Sequence, residues 1–306
     1  MGSYYAEVGC PTETNRTEGS CRMKHPISRR EAMAAMGAAA TLGAMPVVEA
    51  KAKKSTKGIA LQLYTMREPA KKDLAETLKK VRAMGWEYVQ WSGMPDLPAD
   101  EIRKALDTAG LAAISAHTGV ESFENDFDAA VAFWKTVGNR DVAPGGMMND
   151  CRDSLEAWIR GAKRLDAVGA KLRGAGMRLS YHNHAGEFEK FPEDPRCKLD
   201  ILMDETKPEN LCAELDLAWV LAGDADPVAY IRKCAQRCPV VHAKDLESVK
   251  PVKFAALGKG ILDWKAIFAA GKEAGIEWYV YEQDNCYGDP FGCAKTSFEF
   301  LAKHLL

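Results

Sequence analysis

The sequence predicts an α/β protein folded as a (β/α)8 TIM barrel, and three observations carry that expectation. From Gly58 onward, short β-rich runs alternate with helical patterns eight times, the signature of a parallel sheet with crossover helices. Glycines close several helical patterns just before the next strand, as in Met84-Gly85, Ala109-Gly110 and Ala274-Gly275, where a left-handed cap is needed. Four of the apolar runs end in side chains that ligate metals or move protons, and barrels of this kind carry their reactive groups at the C-terminal strand ends.

The expected strands are Ile59 to Tyr64, Tyr88 to Trp91, Ala112 to His117, Asp141 to Pro144, Arg178 to His184, Leu211 to Asp216, Val240 to Lys244 and Trp278 to Glu282. Between them the apolar spacing predicts helices over Leu74 to Met84, Glu101 to Ala109, Phe127 to Val137, Ser154 to Ala175, Pro227 to Gln236, Trp264 to Glu273 and Ala294 to Leu301. The alternative is a doubly wound open sheet. No Gly-x-Gly-x-x-Gly follows the first strand, which weakens the nucleotide-binding version of it.

Ahead of the barrel, residues 1–22 lack apolar periodicity and read as a disordered extension or a misassigned start. Residues 23–50 read as a twin-arginine-type signal peptide: a basic stretch with Ser28-Arg29-Arg30, an Ala/Gly-rich apolar run, then Val48-Glu49-Ala50 where a signal peptidase would cut. Residues 51–57 form a charged linker, and residues 58–306 the catalytic domain. The expected location is periplasmic, with no permanent membrane anchor, because the apolar run is short and weakly hydrophobic.

A chain of 306 residues that is 47% apolar and 27% charged can bury a full core. Its formal net charge of -2 leaves no cationic footprint for nucleic acid or an anionic membrane. Small sugars or glycosides suit it better, and a homo-oligomer is left open. Nine cysteines without a CxxC pair write neither a zinc ribbon nor a thioredoxin-like motif. They read as buried free thiols, although export would allow Cys234 with Cys238 or Cys286 with Cys293 to pair.

The chemistry lies in Tyr181-His182-Asn183-His184, Glu214-Leu215-Asp216, Val241-His242-Ala243-Lys244-Asp245 and Tyr281-Glu282-Gln283-Asp284. Side chains alternate across a strand, so His182 with His184, Glu214 with Asp216, His242 with Lys244 and Glu282 with Asp284 each share a face. His182, Asp216, His242 and Glu282 then form a ligand set for a divalent ion such as Mn, Co, Zn, Mg or Fe. Glu214 lies deeper, where an unpaired carboxylate would be expensive, and reads as structural or as support for the ligands. His184 is the candidate general acid/base, with a fifth-ligand or substrate-binding role as the alternative. Lys244 would stabilise an enolate oxygen or pair with Asp284 or Glu187.

Gln62, Trp91, His117, Glu187, Trp219, Lys259 and Asp284 are candidate substrate-binding residues around the same mouth. Trp91 and Trp219 would stack on a sugar ring or pack in the core. The Leu257-Gly258-Lys259-Gly260 loop lacks phosphate-loop spacing, so its glycines are expected to supply turn geometry.

Taken with Glu187-Phe188, Glu214-Leu-Asp-Leu-Ala-Trp219 and Leu257-Gly-Lys-Gly-Ile-Leu-Asp-Trp264, these motifs resemble the sugar phosphate isomerase/epimerase family of xylose isomerase-like barrels. The resemblance covers roughly residues 58–306. It implies a divalent metal held at the ends of strands five to eight, matching Asp216, His242 and Glu282 directly. Many members carry a glutamate on the fifth strand where this chain has His182, which disfavours an epimerase with two opposed glutamates. The expectation is proton abstraction alpha to a sugar carbonyl through an enediolate, with Glu282 or His184 as base. Reprotonation would make the chain an isomerase or epimerase, and loss of a β oxygen a dehydratase or lyase. A non-catalytic sugar-binding barrel and a DNA-repair endonuclease are the rival classes, the latter disfavoured by the lack of a basic face.

Overall fold

The computed structural model describes residues 58–306. The extension, signal peptide and linker expected over residues 1–22, 23–50 and 51–57 lie outside the described residues. Eight parallel strands close into a barrel: β1 (Ile59–Gln62), β2 (Tyr88–Trp91), β3 (Ala112–His117), β4 (Asp141–Ala143), β5 (Arg178–His182), β6 (Cys212–Asp216), β7 (Val240–Ala243) and β10 (Trp278–Tyr281). Strands β8 (Asp245–Ser248) and β9 (Lys253–Ala255) form a separate antiparallel hairpin. Around the barrel, neighbours follow chain order and β10 pairs with β1 to close it.

All eight expected strands are present. Several end one or two residues early, because the chain turns out of the sheet once its side chains reach the mouth. After β1 it coils into a short 3-10 turn over Leu63–Met66, and after β5 into another over Ala185–Phe188. The crossover helices also match, with acidic or hydroxyl side chains starting them: Asp126 accepts from Ala129 N, Ser154 from Ala157 N and Asp263 from Ala266 N. Gly110 and Gly275 end their helices at φ +71° and +80°, the left-handed geometry that favours glycine. Among the described residues no helix is long and apolar enough to cross a membrane.

The sheet has two apolar faces. Outward-facing Leu61, Val89, Trp91, Leu179, Leu215, Val241 and Tyr279 join the helices in the main core. Inside the barrel, Ala60, Val240 and Val280 pack as a small fully buried floor. Burial of this kind contributes about 25 cal/mol per Å² of apolar surface. Above the floor, the next inward positions are polar.

The β8–β9 hairpin was not expected from the sequence, since both strands are short and half charged. Its anchor is Asp245, fully buried. The Asp245 carboxylate accepts from the backbone of Leu246, Gly258, Gly260 and Leu262 and from Trp264 Nε1 at 2.8–3.2 Å. Gly258 has φ +73°, and a Cβ on Gly260 would collide with this carboxylate and with the Leu246 carbonyl. The glycines therefore serve the turn, as expected. Asp245→Ala should strand several donors at once and lower stability by about 3–5 kcal/mol, read from chemical denaturation. An unchanged midpoint and slope would show that the anchor is dispensable.

Candidate active site

Above the floor, β5, β6 and β7 bring His182, Glu214, Asp216 and His242 side by side, with registers His182 opposite Glu214 and Asp216 opposite His242. Lys244 and Glu282 follow immediately beyond β7 and β10. All six are at least 95% buried. Asp216 is aimed by its dual role. Its Oδ1 caps the helix Leu217–Ala222 by accepting from Trp219 N at 3.0 Å, which leaves Oδ2 for the barrel interior. Asn183, just past β5 and between His182 and His184, ties the end of β5 to β6 by accepting from Asp216 N at 3.0 Å.

The two shared histidines present different nitrogens to two groups of ligand atoms. On the mouth side, His182 Nε2 lies 3.9 Å and His242 Nδ1 4.0 Å from Asp216 Oδ2, and His242 Nδ1 lies 2.9 Å from Glu282 Oε2. On the floor side, Glu214 Oε1 lies 2.6 Å from His117 Nε2, 3.0 Å from His242 Nε2 and 3.4 Å from His182 Nδ1. In each group the ligand atoms lie within 4.8 Å of one another. Gln90 braces the floor side: it donates to Glu214 Oε2 at 2.8 Å, and its Oε1 accepts from Gln62 at 2.8 Å and from His242 Nε2 at 2.7 Å.

These contacts separate the protonation states. Burial, helped by the neighbouring His242, pushes His182 well below the ordinary imidazole value, so it is neutral. Burial also acts to lower His242, but Glu214 and Glu282 outweigh it and raise His242 to about 10. Burial would raise the two glutamates, yet His242 and His117 hold Glu214, and Lys244 and His242 hold Glu282, well below the usual carboxylate range. Lys244 Nζ lies 2.8 Å from both Asp216 Oδ2 and Glu282 Oε2 and 3.0 Å from Asp284. Burial opposes its charge, but those three carboxylates overcome this and raise it above the ordinary lysine value.

A divalent ion fits the mouth-side set. Asp216 Oδ2 is a buried oxygen with no hydrogen bond, its compensation being the Lys244 ammonium, and two imidazoles with two carboxylates suit a borderline or hard divalent cation. The buried cluster can thus bind a metal.

Residues 78–304 match the model of the xylose isomerase-like TIM barrel. The chain belongs to that family. An inosose dehydratase of Lacticaseibacillus casei is 26% identical over 165 residues, which are 48% of this chain and 54% of that relative, so the match spans about half of the relative's length. An inosose dehydratase of Geobacillus thermodenitrificans is 29% identical over 242 residues, 65% of this chain and 79% of the relative. The crystal structure of a sugar phosphate isomerase/epimerase from Parabacteroides distasonis shares the fold at TM-score 0.72 and 20% identity, covering 85% of this chain and 99% of that one.

In this xylose isomerase-like barrel the expected site residues divide into three places. His182, Asp216, His242, Glu282, Lys244, Gln62 and His117 converge inside the barrel. His184, Trp219 and Asp284 form the rim. The exposed His184 ring stands 4.9 Å from His182 and 5.7 Å from Trp219, and Lys244 lies 5.6 Å over Trp219. Trp91, Glu187 and Lys259 do not join the cluster. Trp91 is on the outward face of β2 and packs in the core, because the inward position of that alternation belongs to Gln90. Glu187 is buried, accepting from Tyr181 Oη and His184 N, so it fixes the backbone of His184. Lys259 is exposed on its turn.

Lys244 pairs with Asp284, and with two expected metal ligands as well. Phe254, 5.7 Å from both Trp219 and Lys244, reaches the rim on the unexpected hairpin. The seven cysteines among the described residues are all free, Cys234, Cys238, Cys286 and Cys293 included.

Lys244→Met would leave Asp216 and Glu282 buried without their cation. The metal-free variant should lose about 3–5 kcal/mol in chemical denaturation, and saturating Mn2+ should recover part of that loss. Equal stability of variant and parent without metal would contradict the charge balance described.

Proposed function

We propose that this chain is a divalent-metal-dependent enzyme that removes the proton alpha to a sugar carbonyl and completes the reaction by losing a β hydroxyl, as a keto-sugar or keto-inositol dehydratase. The observation that carries this reading is the asymmetry of the centre: β10 is followed by the buried glutamate Glu282, while β5 ends in the neutral His182 where a two-base epimerase would need a second glutamate. Similarity to inosose dehydratases supports the same outcome.

A metal held by His182, Asp216, His242 and Glu282 would supply electrophilic polarisation of the carbonyl. The protein supplies the rest. Burial opposes the charge on Glu282, but Lys244 and His242 hold it below the usual carboxylate range, which makes it the weaker base. His184, exposed at the rim beside a cavity of about 210 Å³ that Arg152 and Lys198 also line, is the base that substrate can reach. The buried Lys244 ammonium, 2.8 Å from two carboxylates, offers its positive charge to the developing enediolate oxygen. His184, once protonated, returns a proton to the departing hydroxyl, and Trp219 and Phe254 give the rim an apolar face for the sugar ring.

The test is incubation of Mn2+-loaded protein with keto-inositols and 3-keto-glucosides in deuterated water. Dehydrated product should form, and His184→Ala should slow it about 100- to 10,000-fold while still binding metal. Deuterium uptake into unchanged or isomerised sugar would replace elimination by isomerase chemistry. No exchange at all with loaded wild type would reject the reading.

We also propose that the chain acts after export, supported by the Ser28-Arg29-Arg30 stretch and the small residues at Val48-Glu49-Ala50. Periplasmic protein should begin near Lys51 by N-terminal sequencing. Uncleaved protein confined to the cytoplasm would refute this.

A further inference from the structure

The floor side of the cluster is not used by the reaction above, yet it gathers three imidazoles on a single carboxylate oxygen. Glu214 Oε1 lies 2.6 Å from His117 Nε2, 3.0 Å from His242 Nε2 and 3.4 Å from His182 Nδ1. Glu214 is 1% exposed, and its other oxygen is taken by Gln90 Nε2 at 2.8 Å. His182 Nδ1 is buried with no well-formed hydrogen bond of its own, so the Glu214 carboxylate is the acceptor it faces. The Gln90 amide also fixes a direction. Its nitrogen donates to Glu214, so its oxygen points at His242 Nε2, 2.7 Å away, and requires a proton on that nitrogen.

We infer that Glu214 is a positioning residue that sets the tautomers of both ligand histidines, so that His182 binds the metal through Nε2 and His242 through Nδ1. The argument is geometric. Each imidazole has two nitrogens on opposite sides of the ring, and a ring that has given up one proton to bind metal keeps the other on the nitrogen that donates to a carboxylate and presents its other nitrogen as the lone pair. Here one carboxylate on β6 serves two rings on the strands that flank it, β5 and β7, and His117 and Gln90 hold that carboxylate in place from β3 and β2. Glu214 touches neither substrate nor metal. This rests on the proposal that a metal binds the mouth-side set, and it assigns to Glu214 a function that a ligand or a simple core residue would not have.

Two measurements test it. The first needs no substitution: with ¹⁵N-histidine-labelled protein loaded with Zn2+, the imidazole nitrogen shifts should show His182 metal-bound at Nε2 and protonated at Nδ1, and His242 metal-bound at Nδ1 and protonated at Nε2. Either ring bound through its other nitrogen overturns the inference, whatever the variants do. The second compares Co2+ affinity and the visible Co2+ spectrum in wild type, Glu214→Gln and Asp216→Asn. Glu214→Gln should weaken binding about 10- to 100-fold while keeping the wild-type spectrum. Asp216→Asn should change the spectrum itself.

Unchanged affinity in Glu214→Gln overturns the positioning role. A spectrum altered as in Asp216→Asn overturns it too, by making Glu214 a ligand. Wild type that binds neither Zn2+ nor Co2+ would instead sink the metal proposal, a result distinct from all of these.

Discussion

Lys244 is the interaction on which the upper barrel depends. A buried ammonium with no counter-charge would give up its proton, and buried carboxylates with no cation would take one up. Here Lys244 meets Asp216, Glu282 and Asp284 within 3.0 Å, while His242 bridges Glu282 on one side and Gln90 with Glu214 on the other. Charge at the mouth and charge near the floor are therefore balanced through one imidazole. The arrangement also separates the groups by setting: Lys244, Glu282 and His242 are buried and held in their charged forms by one another, whereas His184 stands exposed at the rim.

The rest of the fold makes this balance possible. Ala60, Val240 and Val280 pack below the polar layer as a fully buried apolar floor. Helix capping by Asp216 and the Asn183 clamp fix the ends of β5 and β6 to each other. On the rim, Asp245 fastens the hairpin that brings Phe254 toward Trp219 and Lys244. Of the polar devices, Asn183 and Asp245 each stand next to a residue of the buried cluster, His182 and Lys244, and Asp216 belongs to the cluster itself. Family-like motifs in this chain are thus as much about holding strand ends as about reacting.

How far the sequence could be read follows from the range of the forces involved. The barrel strands were legible because each is a short apolar run closed by turn residues, and the mouth-side set was legible because its members sit at equivalent strand ends. Trp91 carries two readings in the sequence, sugar stacking and core packing, because it and Gln90 are adjacent and only the register of β2 decides which one faces inward; the structure bears out the packing. The Gln62–Gln90–Glu214 chain spans three strands far apart in sequence, and no local pattern announces it. Glu187 reads in the sequence as a substrate-binding carboxylate, but the 3-10 turn after β5 folds it back onto Tyr181. The hairpin escaped because its pairing, unlike the barrel's, depends on one buried aspartate and not on an apolar run.

The central claim is that a divalent ion is held on the mouth side of the two shared histidines. Anomalous X-ray scattering from a crystal of the protein soaked in Mn2+ tests it most directly. The account predicts one peak bounded by His182 Nε2, Asp216 Oδ2, His242 Nδ1 and Glu282 Oε2, with the Lys244 ammonium displaced toward Asp284. A peak between His117 and Glu214, or none at saturating Mn2+, would contradict it.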